Sequence, residues 1–165
     1  MIKEVIQKGA EILRVPCEPV VDFSVARPIV QDLVDTIDYL KTTYPFGRGI
    51  GLAAPQIGHP LRISVAENAI GDRYILINPK IVESSGTKKP IREGCISFLE
   101  FRGMVSRHEW VRVQASDLEG KQYEVKADGD FAILLEHELD HLDGVLYTDH
   151  LSNGEKDLFL VEALK

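Results

Sequence analysis

The chain has 165 residues, 44% of them hydrophobic and 27% charged, with a formal net charge of −7 and a pI near 5.2. That length can bury a core within one domain without covalent staples, and the acidic balance argues against a nucleic-acid footprint, which would be basic and clustered. No run approaches the roughly eighteen apolar residues of a membrane span, residues 1–9 lack the apolar centre of a secretory signal, and the two cysteines, Cys17 and Cys95, fit a reducing cytosol better than a disulfide framework.

Residues 1–23 hold short apolar stretches broken by Gly9, Pro16 and Pro19, which predict loop and irregular strand, with Cys17 as a small buried or half-buried thiol. An amphipathic helix follows. Pro28 suits its first turn, Ile29, Val30, Leu33, Val34, Ile37 and Leu40 recur at helical spacing, and Asp32, Asp35 and Asp38 give its wet face, as expected of a helix covering a sheet. The pattern fails at residues 42–47 and gives way to Gly49-Ile50-Gly51-Leu52-Ala53-Ala54-Pro55-Gln56. The two glycines around Ile50 allow backbone to approach backbone or ligand closely, but the third glycine of a dinucleotide fingerprint and the helix after it are missing. Gln56 is the notable polar group there.

Short β-type runs are expected at Ile63-Ser64-Val65, at residues 74–77 ended by Asn78-Pro79, and at Ile81-Val82. Alternation predicts a hairpin from residues 111–115 and 122–125 around a turn at 117–120. A helix over 131–143 comes next, with Asp128 as N-cap and Gly144 at its stop. After it, Ser152-Asn153-Gly154 predicts a brief amphipathic helix bearing Leu158, Val161 and Leu164. No repeat or linker divides the chain, so residues 1–165 read as a single domain.

The helix at 131–143 carries His137-Glu138-Leu139-Asp140-His141. Two imidazoles four residues apart face the same side of a helix and can share one metal ion, with a glutamate beside them to handle protons. The surrounding Phe131, Ile133, Leu134, Leu135, Leu139 and Leu142 are apolar nearly all round, which describes a buried helix. A catalytic site needs a third ligand and one open position. Asp143, Asp149, His150 and Cys95 all qualify, and spacing does not choose among them.

Three stretches together, Gly49-Ile50-Gly51-Leu52-Ala53-Ala54-Pro55-Gln56, Glu93-Gly94-Cys95-Ile96-Ser97 and His137-Glu138-Leu139-Asp140-His141, resemble in order the signature motifs of peptide deformylases. The likeness extends over most of residues 5–151. It implies an α+β fold in which antiparallel sheets wrap a central metal-binding helix, and a cytoplasmic hydrolase that removes the N-terminal formyl group from formyl-Met of new polypeptides at the ribosome. It further implies that Cys95, His137 and His141 hold a divalent ion with water as fourth ligand. That ion is typically Fe2+, with Zn2+, Ni2+ or Co2+ as substitutes. Glu138 would carry the proton, while the Gln56 amide and the Ile96 N–H would meet the oxyanion. The peptide would lie along Ile50, Gly51 and Gly94, with its first side chain in an apolar pocket that includes Ile91 and Ile133. Glu93 and Arg102 would frame the mouth as an ion pair.

Some positions depart from the family pattern. Phe98-Leu99 stands where an apolar residue and proline are usual, Phe101 where a polar or small residue is common, and Asp130 where an apolar pocket wall is usual; Asp130 also reads as a first-turn acid facing water. The tail is shorter than the long C-terminal helix of some bacterial members, on which ribosome docking would depend. These departures admit a deformylase-like paralogue with another substrate preference. A non-catalytic module with a structural metal is a further alternative, against which Glu138 and Gln56 count.

Overall fold

The computed structural model describes residues 1–160. Helix α1 (Ala26–Thr43) opens with Pro28 in its first turn and buries Ile29, Val30, Leu33, Ile37 and Leu40. The strands β1 (Ile50–Ala53), β2 (Ile63–Glu67) and β3 (Arg73–Ser84) then pair antiparallel in sequence, Leu52 opposite Val65 and Val65 opposite Ile75. The two runs expected within residues 74–82 are one strand bent in the middle. Asn78 sits at φ 51° and shifts the β3 register, and its amide caps the bend by accepting from Val20 N–H and donating to Val20 C=O, both at 2.8 Å. Asparagine tolerates that left-handed backbone better than most residues.

Strands β4 (Lys88–Glu93) and β5 (Phe101–His108) form a hairpin that the sequence did not announce. The link between them, residues 94–100, contains the cysteine motif. Strands β6 (Trp110–Ser116) and β7 (Gln122–Asp128) make the expected second hairpin, paired from Trp110–Asp128 to Ser116–Gln122. The larger sheet runs β1-β2-β3-β6-β7. Helix α2 (Gly129–Leu142) follows β7 without a loop, Gly129 turning the corner at φ 53°. Asp128 occupies the N-cap position, but its side chain makes no capping bond. Gly144 ends the helix at φ 71°, where a Cβ would crowd the Arg14 carbonyl at 2.7 Å.

The tail departs from expectation. Gly154–Asp157 forms a single 3₁₀ turn, and β8 (Phe159–Leu160) then adds to the edge of β5, giving a second sheet β4-β5-β8. Leu158 therefore lies between turn and strand and not on an amphipathic helix; Val161 and Leu164 fall outside the described residues.

Alternation along the strands sets up the site. Ile50, Leu52, Ile63 and Val65 point toward α1 and share its core. The intervening Gly51, Ser64 and Ala66 belong to the opposite face, where Ala66, Leu76, Val111 and Val113 pack on Ala132, Leu135 and Leu139 of α2. A third cluster of Leu13, Phe98, Val105, Leu146, Tyr147 and Leu151 packs under the cysteine. Helix α2 is thus enclosed by both sheets. Leu135 is wholly buried, and truncating such a leucine to alanine costs about 2–5 kcal/mol. Among the described residues no helix is long and apolar enough to cross a membrane.

Candidate metal centre and active site

His137 and His141 stand one turn apart on α2 with their Nε2 atoms 3.2 Å from each other, and Cys95 Sγ lies 3.3 Å from His141 Nε2. All three side chains are buried, and their ligand atoms lie within 4.8 Å of one another. A tetrahedral ion with metal–nitrogen bonds of about 2.0 Å and a metal–sulfur bond of about 2.3 Å has ligand–ligand edges near 3.3 to 3.5 Å. The donor set and its spacing fit a divalent cation. The other candidates point elsewhere: Asp143 pairs with Arg62 at 2.6 Å, Asp149 with Arg14 at 2.5 Å, and His150 with Asp140 at 2.8 Å.

A buried network aims the imidazole of His137. Its Nδ1 faces Glu93 Oε1 at 2.5 Å, which places the ring proton there and leaves Nε2 bare for a metal. Arg107, only 3% exposed, grips the same carboxylate with two bonds, Nε to Oε2 at 2.9 Å and Nη2 to Oε1 at 2.8 Å. Its Nη1 reaches Asp140 at 2.6 Å. Burial alone would raise the Glu93 carboxyl, but Arg107 and His137 hold it down at about 2.

Glu138 points the other way, beneath β1. Its Oε2 accepts from Ser64 Oγ at 3.1 Å, and a Cβ on Gly51 would overlap its Oε1. Glycine at 51 is therefore required by the carboxylate below it. Burial pushes the Glu138 carboxyl up to about 7, against the lowering effects of His137 and of the Ser64 hydrogen bond. A carboxyl poised there can both accept and return a proton near neutral pH.

The 3₁₀ turn Ala54–Ile57 presents Gln56. Its Oε1 accepts from Ala53 N–H at 2.8 Å, which fixes the amide orientation and sends Nε2 toward Ser97 Oγ at 3.1 Å and Cys95 Sγ at 3.7 Å. Ile96 opens the turn Ile96–Phe98, so its N–H has no acceptor within that turn. A cleft of about 240 Å³ leads down to these groups, bordered by Ile50, Gly51, Gly94, Ile133 and Leu134.

Two expectations about the cleft are corrected. Glu93 and Arg102 do not pair: alternation along β4 turns Glu93 inward to Arg107, while Arg102 lies across Gly94 and donates to the carbonyls of Leu99 and Phe101 at 3.1 and 2.7 Å. Ile91, on the same inward face of β4, packs into the cluster around Leu13 and Phe98 and is not among the residues bordering the cleft. Asp130 stands exposed at the mouth, 3.5 Å from Arg48. Sequence reading missed Arg107, Ser64 and Asp140. Strand alternation places Arg107 on the inward face of β5 with Gly103 and Val105, all buried.

A three-residue cluster that could hold an ion, open to a cleft that a buried glutamate also lines, is the arrangement of a metal-dependent hydrolase. The polypeptide deformylase family model matches residues 2–157, and the chain is 41% identical over 155 residues to peptide deformylase 1 of Bacillus subtilis (strain 168), covering 92% of this chain and 91% of that protein. The chain belongs to the peptide deformylase family, enzymes that hydrolyse the N-terminal formyl group of new polypeptides. Among solved structures, a peptide deformylase from Legionella pneumophila superposes with a TM-score of 0.83 at 36% identity, covering 92% of this chain and 87% of that one. One from Synechococcus elongatus in complex with actinonin gives 0.82 at 32% identity, covering 92% and 79%. The α+β fold expected from the motifs is the fold observed.

Proposed function

We propose that the chain removes formyl from formyl-Met nascent chains as one catalytic unit, with Cys95, His137 and His141 holding the ion and Glu138 moving the proton. The observation that carries this reading is the convergence of two Nε2 atoms and one Sγ at the foot of a cleft that Glu138 also lines. When bound, the ion supplies Lewis-acid activation of water at neutral pH. Glu138 takes the proton from the attacking water and delivers it to the departing amine nitrogen, so the free N-terminus and formate leave. The Gln56 Nε2 and the Ile96 N–H donate to the oxygen on which negative charge develops. Donors of that kind are worth about 3–4 kcal/mol each.

The peptide lies extended against Ile50, Gly51 and Gly94, main chain to main chain, with Glu93 and Arg102 behind and beside it. Its methionine side chain enters the cleft against Ile133. Ferrous iron is the proposed cellular ion on the strength of the motif resemblance, since a sulfur-and-two-nitrogen set also suits zinc, nickel and cobalt. The cytoplasm, and nascent chains at the ribosome, are the matching setting. The test is formate release from formyl-Met-Ala by wild type and Glu138→Ala, each with metal content measured. Loss of turnover with metal retained supports the assignment; full turnover in the variant rejects Glu138 as the proton carrier.

A further inference from the structure

The rim of the cleft carries charge that deformylation itself does not use. Arg48 stands on one wall, in the loop entering β1, while Arg92 and Arg102 stand on the other, on β4 and β5. Three guanidiniums thus surround one opening in a chain whose net charge is −7. Alternation along β4 explains part of this, since Glu93 turns inward to Arg107 and leaves Arg92 facing out.

The contacts of these arginines fix them in place without cancelling their charge. The Arg92 guanidinium lies 5.5 Å from the centre of the Phe159 ring, and Arg102 is fastened to the carbonyls of Leu99 and Phe101. Among the described residues the carboxylate at this rim is Asp130, whose contact with Arg48 is long at 3.5 Å, the two side chains being 46% and 54% exposed. So open a pair is weak and readily exchanged for another carboxylate.

We infer that this rim selects formyl peptides whose second and third residues are acidic, their carboxylates bound by Arg48, Arg92 and Arg102 in competition with Asp130. The inference rests on the reading under Proposed function, which places the first side chain in the apolar cleft. An extended peptide advances about 3.3 Å per residue and alternates its side chains, so the residues after the first emerge at the rim. Guanidinium is suited to the task because its planar fork matches a carboxylate in two-point contact.

The test compares kcat/KM of the metal-loaded enzyme on formyl-Met-Ala-Ala, formyl-Met-Glu-Glu and formyl-Met-Lys-Lys at low and high salt. One exposed ion pair is worth up to about fivefold, so two acidic residues should outrun two lysines by about 5- to 20-fold at low salt. That ratio should shrink at high salt, as expected of solvent-exposed charges. Arg92→Glu should lower the ratio, and Asp130→Asn, which frees Arg48, should raise it. Equal rates on the three peptides, a lysine preference, or a ratio indifferent to Arg92→Glu would overturn the rim inference while formate from formyl-Met-Ala-Ala left the proposed function standing. No formate from any of the three would overturn both.

Discussion

Glu93 Oε1 lies 2.5 Å from His137 Nδ1, and the same carboxylate is clasped by Arg107 from its other side. The His137 imidazole is therefore held by a buried acid, and that acid by a buried base. The ion pair costs desolvation to bury, so its value is positional: it keeps the Nε2 lone pair of His137 aimed at the point shared with His141 and Cys95.

Glu93→Gln should accordingly lower metal affinity by about 10- to 100-fold, the usual consequence of losing such a support. It should also lower stability, by up to about 3–5 kcal/mol, because Arg107 loses its fully buried partner and keeps only Asp140. Chelator competition and urea unfolding measure the two effects separately. In wild type the sign of the pH effect is set by a carboxyl lowered from 4.5 to about 2. Its stabilisation is present above 4.5 and is lost as the pH falls through about 2. Retained metal affinity in the variant would make the contact incidental.

Gly51→Ala tests the space above Glu138. The new Cβ would overlap Glu138 Oε1, and the carboxylate, packed between β1, Ser64 and α2, must move aside. A displacement of about 1 Å in a catalytic group can cost about 100-fold in rate. The expected result is a fall of that order in kcat/KM with metal content unchanged. Wild-type turnover would show that Glu138 does not need its present position.

The parts legible in the sequence were those written in local periodicity. Helix α1 followed from Ile29, Leu33, Ile37 and Leu40, and α2 from an apolar surround of two histidines at one-turn spacing. The β4–β5 hairpin was not legible, because Lys88-Lys89-Pro90 is exposed and shows no apolar alternation, and its partner strand mixes Arg102, Ser106 and Arg107 with Met104 and Val105. That hairpin brings Cys95 to the histidines, so the expectation of Cys95 as third ligand came from family resemblance and not from spacing. Arg107 was hidden for a related reason. An arginine is rarely buried unless paired, and its pairing to Glu93 and Asp140 spans residues distant in the chain. The expected helix beyond residue 152 failed where Phe159–Leu160 found an open strand edge on β5.

Cys17 gives a prediction at alkaline pH. Its N–H donates to Leu142 C=O at 2.8 Å, tying the N-terminal segment to the end of α2, and its side chain packs with Ala53 and Leu142. Burial pushes the thiol from 9.0 up to about 11, with Arg62 pulling it down and Asp143 adding to the rise. The folded state thus holds the proton more tightly than the unfolded chain. The corresponding stability is whole below pH 9.0 and is lost as the pH rises through about 11. Thermal melts across that window should fall more steeply for wild type than for Cys17→Ala. Parallel curves would exclude the thiol as the titrating group.

Removing the ion should expose how much of the centre's geometry depends on it. Two Nε2 atoms 3.2 Å apart, with a sulfur 3.3 Å from one of them, bring three lone pairs together in a buried space. Without a cation these repel unless one group is protonated to bridge another. A chelated sample should therefore melt lower than the loaded protein, and the gap should widen with free metal, by about 2.7 kcal/mol at a hundredfold excess over Kd. Cobalt added back should give the intense visible bands of a four-coordinate site together with a sulfur charge-transfer band in the near ultraviolet. Cys95→Ser should remove the second feature and weaken binding. A cobalt spectrum that Cys95→Ser leaves unchanged would place the sulfur outside the coordination sphere and dismantle the centre described above.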